Sequence, residues 1–183
     1  MREVWDGPVR VDANGAWSPE EAISKIKTLE KFDIELVEQP VPPGDPDTLA
    51  AVRDHASVPV FADESAVVPE DLHRLAGKVD GVVVKLAKMG GIRPVLRAVA
   101  TARACGLKVM LGCMVETSLG ISAAVHISPL ADYVDLDGHF LLAHDPYEGP
   151  VLKDGRLLPP EGPGLGVRRR GYDGGVPNKG ARG

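Results

Sequence analysis

Asp12, Glu38, Asp63 and Lys85 follow one another at intervals of 26, 25 and 22 residues, and each closes a short apolar run. The runs are VRVDANG (9–15), IELVEQP (34–40), VPVFADES (58–65) and GVVVKLAKMGG (81–91). Three carboxylates brought together suit a hard, oxygen-loving cation, Mg²⁺ in the first place and Mn²⁺ in the second. Without a cation they would repel one another strongly. Taken singly, each acid reads equally well as a helix cap or a surface residue. Taken together, they interrupt apolar runs at one phase, which favours a common metal site.

Lys85 ends a β-branched run, and lysine is seldom buried unpaired. An ion pair with a neighbouring carboxylate, or a stem that snorkels past the rim, would account for it. So would a general base whose pKa is lowered toward neutrality by burial or nearby positive charge. Lys88 falls beyond the strand and reads as a surface or supporting residue. Asp135 and Asp137 stand two apart in YVDLDGHF (133–140), so on a strand they share a face. That pair can receive a substrate cation such as an ammonium group, or form a turn before Gly138. Glu116 reads as a site residue or as an acid at a helix start. The five histidines show no metal-ligand spacing, and His126 fits a packed helical position.

The elements that must position these groups alternate. Ser18-Pro19-Glu20-Glu21 opens a helix, with a serine cap, proline at the first position and acids in the first turn. Further helices are expected over 48–56, 69–76, 92–106 and 118–128, and further strands over 107–116 and 133–140. No hairpin signal joins two strands of this series. Strands separated by helix-length connections pair in parallel, and six such units point to a (β/α) barrel or a doubly wound sheet. In either fold the carboxyl ends of the strands face one mouth, where active sites are built. From about Leu141 the pattern fades. The expected division is 1–166 as barrel and 167–183 as a basic, Gly-rich, solvated and disordered tail.

A net charge of −5 and a pI near 5.5 exclude a general nucleic-acid or membrane-surface binder. No apolar run approaches the ~20 residues that cross a bilayer, and MREVWDGPVR lacks a signal-peptide core. Cys105 and Cys113 lack metal spacing and read as reduced thiols of a cytoplasmic protein.

The motifs VDANGAW, VEQP, ADES, VVVKLAKMGGI and DLDG resemble the enolase superfamily, in its muconate-cycloisomerase-like branch. The resemblance implies Asp12, Glu38 and Asp63 as Mg²⁺ ligands, Asn14 and Glu64 as their supporting partners, and Lys85 as one of two acid/base lysines. CMVETSLGISAAVH (113–126) with VDLDG (134–138) looks like the dipeptide epimerases, which implies Asp135 and Asp137 as holders of the substrate's α-ammonium. The implied reaction is epimerisation of an L-Ala-D/L-Glu-like dipeptide through an enediolate, and a homo-oligomer is compatible with it. o-Succinylbenzoate synthase, a cycloisomerase, or a non-catalytic piece that folds only with another chain remain alternatives. The resemblance also implies a capping domain, two further barrel units and a Lys-x-Lys strand ahead of Asp12. The sequence here offers only Lys25-Ile26-Lys27, inside the first expected helix. An eight-stranded barrel takes ~250 residues. The chain is therefore expected to be a partial (β/α)8 barrel, the C-terminal portion of an epimerase, impaired on its own.

Overall fold

The computed structural model describes residues 3–171. It divides into two compact units: one runs to Gly112 and takes in Ser128–Asp135, and the other comprises Cys113–Ile127 and the chain from Leu136 on.

The first unit is built on a six-stranded sheet. Its strands are β1 (Arg10–Asp12), β2 (Leu36–Glu38), β3 (Val60–Ala62), β4 (Gly81–Lys85), β5 (Lys108–Gly112) and β6 (Tyr133–Val134). They are hydrogen-bonded in chain order and every pairing is parallel. This is the strand order of a (β/α)8 barrel, of which the chain holds part. The expected strands are present but shorter: β1, β2 and β4 end on Asp12, Glu38 and Lys85, whereas β3, β5 and β6 leave the ladder before Asp63, Glu116 and Asp135.

Helix α1 (Pro19–Glu30) starts where its cap dictates. The Ser18 side chain accepts the Glu21 N–H, and the Glu21 carboxylate accepts the Ser18 N–H. Helix α2 (Pro46–Arg53) begins two residues earlier than expected, since Asp45 caps it and Pro46 takes its first position. The helix expected over 69–76 breaks into a 3₁₀ turn (Pro69–Asp71) and the one-turn α3 (Leu72–Leu75). A second one-turn helix, α4 (Leu86–Met89), follows β4 directly. Gly90 then takes a left-handed φ of 89° to end it, before α5 (Ile92–Ala104).

β2 and β3 are buried at every position, as is β4 up to Val84. Leu36, Phe61, Val83 and Met110 form one cluster, with Tyr133 packed against it. Phe61 meets Tyr133 edge to face at 5.5 Å. Gly81 makes room for that ring: a Cβ there would lie 2.3 Å from Phe61 Cε1. Gly81→Ala must therefore displace Phe61 from the centre of the unit, at about 2 kcal/mol. A urea melt of the variant should show that loss without a change in slope.

The ends of the sheet are joined by one side chain. Arg10 on β1 donates from Nη1 to the Val134 carbonyl on β6 (3.2 Å) and from Nε to Glu35 (2.7 Å), and lies over the Tyr133 ring.

The second unit holds α6 (Ser118–Ile127) and four short strands: β7 (Tyr147–Glu148), β8 (Val151–Lys153), β9 (Arg156–Leu158) and β10 (Arg168–Arg169). Two features here were not read from the sequence. β8 and β9 form an antiparallel hairpin across Asp154-Gly155, whose φ values of 49° and 73° suit the turn that an Asp-Gly pair favours. Arg168–Arg169, expected in the solvated tail, pair antiparallel with β7. The rest of that expected tail, 172–183, lies outside the described residues.

Candidate active site

Four of the sequence-selected residues stand at the carboxyl ends of four adjacent strands. Asp12 and Glu38 are register partners at the ends of β1 and β2. Asp63 is one residue past β3, and Lys85 is the last residue of β4. The alternation of strand and helix puts them there, since each strand runs the same way through the sheet.

Asp12 is exposed, and its Oδ1 accepts the Asn14 N–H at 2.8 Å. Asn14 adopts a φ of 47°, which asparagine tolerates better than most residues. The contact of Asn14 with Asp12 is thus made by its backbone N–H. Glu38 is buried, and its carboxyl is pushed up to about 8. Burial is the largest cause, followed by the charges of Asp12 and Asp63. Carboxylate oxygens from adjacent strand ends are the ligand type that a hard cation takes. The donor set therefore fits a hard divalent ion. As the side chains stand, no three His, Cys, Asp or Glu groups among the described residues surround one position.

Lys85 Nζ donates to Asp63 Oδ2 at 2.5 Å, and Lys88 Nζ donates to Asp63 Oδ1. Lys88 is also fastened to the carbonyls of Asp63 (2.8 Å) and Val83 (2.9 Å). Of the two readings of Lys88, surface or supporting, these contacts favour the supporting one. The single turn of α4 bends the chain back, so the ammonium returns to the strand it has just left. Burial pushes the Asp63 carboxyl up, but Lys88 and Lys85 outweigh it and hold the group below the usual range. For Lys88, burial wins and the ammonium sits below its ordinary value. For Lys85 burial also pulls downward, yet Asp63, Glu38 and Asp12 outweigh it and the net direction is up. The expectation of a Lys85 drawn toward neutrality does not hold with the carboxylates arranged like this. The Lys85 stem is accommodated by its register partner Gly112, where a Cβ would lie 3.0 Å from Lys85 Cε.

Glu64 is half-buried, and its Oε2 is buried with no hydrogen-bond partner among the described residues. Asp135 lies in the first unit just past β6, where its N–H donates to Leu111 O at 2.9 Å. Asp137 lies in the second unit with a helical φ of −90°, ahead of a 3₁₀ turn over Gly138–Leu141. Both are exposed. They do not share a strand face, because the strand ends at Val134 before either is reached. Glu116 accepts the Met114 N–H at 3.2 Å, two residues before α6. His126 Nδ1 lies 2.7 Å from Ser122 O on its own helix. Lys25 and Lys27 lie within α1, so that lysine pair is a helical one. Among the described residues, no helix is long and apolar enough to cross a membrane.

Comparison with known proteins places the chain in one family. A hydrophobic dipeptide epimerase from Roseobacter litoralis is 45% identical over 158 residues, covering 86% of this chain and 46% of the relative. The chain thus spans about half the length of the curated relatives it matches. Dipeptide epimerase from Enterococcus faecalis V583, solved with Mg and the dipeptide L-Leu-L-Tyr, superposes with a TM-score of 0.83 at 37% identity. That match covers 89% of this chain and 48% of the other. A muconate cycloisomerase variant superposes with a TM-score of 0.86 at 34% identity, covering 92% of this chain and 49% of the other. Residues 1–171 match the family described as enolase C-terminal domain-like, and the chain belongs to that family.

Proposed function

We propose that this chain carries the metal-binding carboxylates and one acid/base lysine of a Mg²⁺-dependent dipeptide epimerase. The observation that carries the reading is the alignment of Asp12, Glu38, Asp63 and Lys85 on four successive parallel strands. Asp12, Glu38 and Asp63 would hold the ion. When bound, Mg²⁺ would supply positive charge against which a substrate carboxylate can gain electron density. Lys85 then takes or returns the α-proton at Nζ. Lys88 stays out of the proton transfer, since two backbone carbonyls as well as Asp63 hold its ammonium. Asp135 and Asp137 are assigned the substrate's α-ammonium, because carboxylates are the natural partners of that group. The substrate class is a dipeptide of the L-Ala-D/L-Glu kind.

The test is exchange of the dipeptide α-proton for deuterium in D₂O, followed by NMR with L-Ala-L-Glu and its epimer L-Ala-D-Glu in the presence of Mg²⁺. A single lysine works from one face, so exchange is expected in one epimer and should stop when EDTA removes the ion. A folded, Mg²⁺-loaded chain that exchanges neither dipeptide would overturn the proposal. Asp135→Asn and Asp137→Asn should each slow exchange at least about tenfold, as expected when a charged hydrogen-bond partner is lost. The same variants should leave Mg²⁺ binding, measured by calorimetry, unchanged. Equal loss on an acid without an ammonium group would instead favour a cycloisomerase.

A further inference from the structure

Resting on that reading of the metal ligands, we infer that Gln39 is a positioning residue that locks the three acid-bearing strand ends into one frame. It follows Glu38 directly, is wholly buried and takes a φ of 32°, in the left-handed region where a side chain with a Cβ is strained. Nothing in its hydrogen bonding is left over. Its backbone N–H donates to Phe61 O on β3 (2.8 Å), and its carbonyl accepts the Gly15 N–H from the turn after β1 (2.8 Å). Its side-chain Nε2 donates to Val41 O (2.8 Å) and Ser65 Oγ (3.0 Å). Its Oε1 accepts the N–H groups of Asp63 (2.9 Å) and Ser65 (3.2 Å).

Six bonds from one residue therefore reach the loop that follows Asp12, the last residue of β1, and the turn after β3, which starts at Asp63. The amide is the side chain this job requires, since two donors and an acceptor face two oxygens and two N–H groups. A carboxylate there would set its own oxygen against Val41 O, and a leucine would leave the Asp63 and Ser65 N–H groups buried without an acceptor. Fully satisfied buried networks of this kind fix a local geometry rather than add general stability. The strained φ is tolerated because those bonds hold it in place. What they hold is the backbone of Asp63, and with it the direction of the carboxylate that both lysines grip.

The experiment has two arms, run on Gln39→Leu and, as a milder pair, Ser65→Ala and Ser65→Thr. In the first arm, amide hydrogen exchange in the folded chain reports the frame without any metal. Asp63 and Ser65 amides should exchange about 100-fold faster in Gln39→Leu while Met110 in β5 keeps its protection, a local opening rather than a global one. Ser65→Ala should show a smaller change at the same amides, and Ser65→Thr, which keeps the hydroxyl, none. In the second arm, calorimetry reads Mg²⁺ affinity, which Gln39→Leu should lower about tenfold. Unchanged protection at Asp63, or loss spread evenly over the unit, overturns the inference. So does native Mg²⁺ affinity in a Gln39→Leu chain when the native chain binds the ion. If Gln39→Leu does not fold, identical exchange in Ser65→Ala and Ser65→Thr overturns it. A native chain that takes up no Mg²⁺ at all instead removes the metal assignment above, and the exchange arm still decides for Gln39.

Discussion

Asp63→Asn should cost the protein its Mg²⁺ affinity and a large part of its stability at once. The Asp63 side chain is 4% exposed and receives the ammonium groups of Lys85 and Lys88, each 14% exposed. An amide of the same shape keeps the volume but removes the charge that both lysines answer. Leaving buried charges without their partner costs about 3 kcal/mol or more. Loss of a ligand to the ion should weaken Mg²⁺ binding by more than about 100-fold, beyond what the loss of a supporting partner does. Calorimetric titration and urea melts at pH 7 measure both effects. Native affinity in the variant would take Asp63 out of the ligand set.

The pH dependence has a definite sign. The Asp63 carboxyl sits below its ordinary value, so its stabilisation is present above the unfolded pKa of about 3.9 and fades as pH falls through the lower folded value. Glu38 works in the other direction. Its folded-state value of about 8 lies above the unfolded one, so stability declines as pH rises through the interval between them. Asp63→Asn removes the first effect and eases the second, because one of the charges pressing on Glu38 is gone. Melts of the native and variant chains across pH 3–9 should differ in slope at both ends.

Lys85→Met should abolish α-proton exchange, by about 10³-fold or more given what a positioned acid/base group contributes, while Mg²⁺ binding survives. Removing Lys85 frees one oxygen of Asp63 for the ion, and Lys88 still holds the other. Lys85→Arg separates charge from proton transfer. A guanidinium keeps the positive charge near Asp63 but does not give up its proton at working pH, so it too should lose exchange. Exchange at the native rate in either variant would take the base assignment away from Lys85. Lys88→Met should behave differently, lowering stability first, since its ammonium also secures the Val83 carbonyl at 2.9 Å.

The charged residues at strand ends were legible in the sequence because a parallel α/β unit repeats at a near-constant length, and each of the four groups broke an apolar run at its end. Lys88 was not legible. Counting residues placed it past the strand, whereas one turn of helix over Leu86–Met89 carries it back. Asp135 and Asp137 were misplaced for a related reason. Alternation describes a strand only while the strand lasts, and β6 has two residues. Gly138 carries part of the explanation, since a Cβ there would lie 2.0 Å from Met114 O and the chain can turn tightly against that backbone. The Asp154-Gly155 hairpin did have a readable signal, flanked by VLK and RLL, which the Pro/Gly-rich context obscured. The direction of the Lys85 shift depends on how burial balances against three carboxylates, and no spacing rule contains that sum.

The bond from Arg10 to Val134 spans 124 residues of chain. A contact between such distant positions has a high entropic cost unless the intervening chain is already ordered. It is expected to form after the four inner strands have found their register, and so to report on all of them. A slip by one residue in any strand would turn its side chains to the opposite face and move the two end strands out of reach of each other. The first and last strands of this sheet are therefore thermodynamically coupled, and damage to one end should be felt at the other.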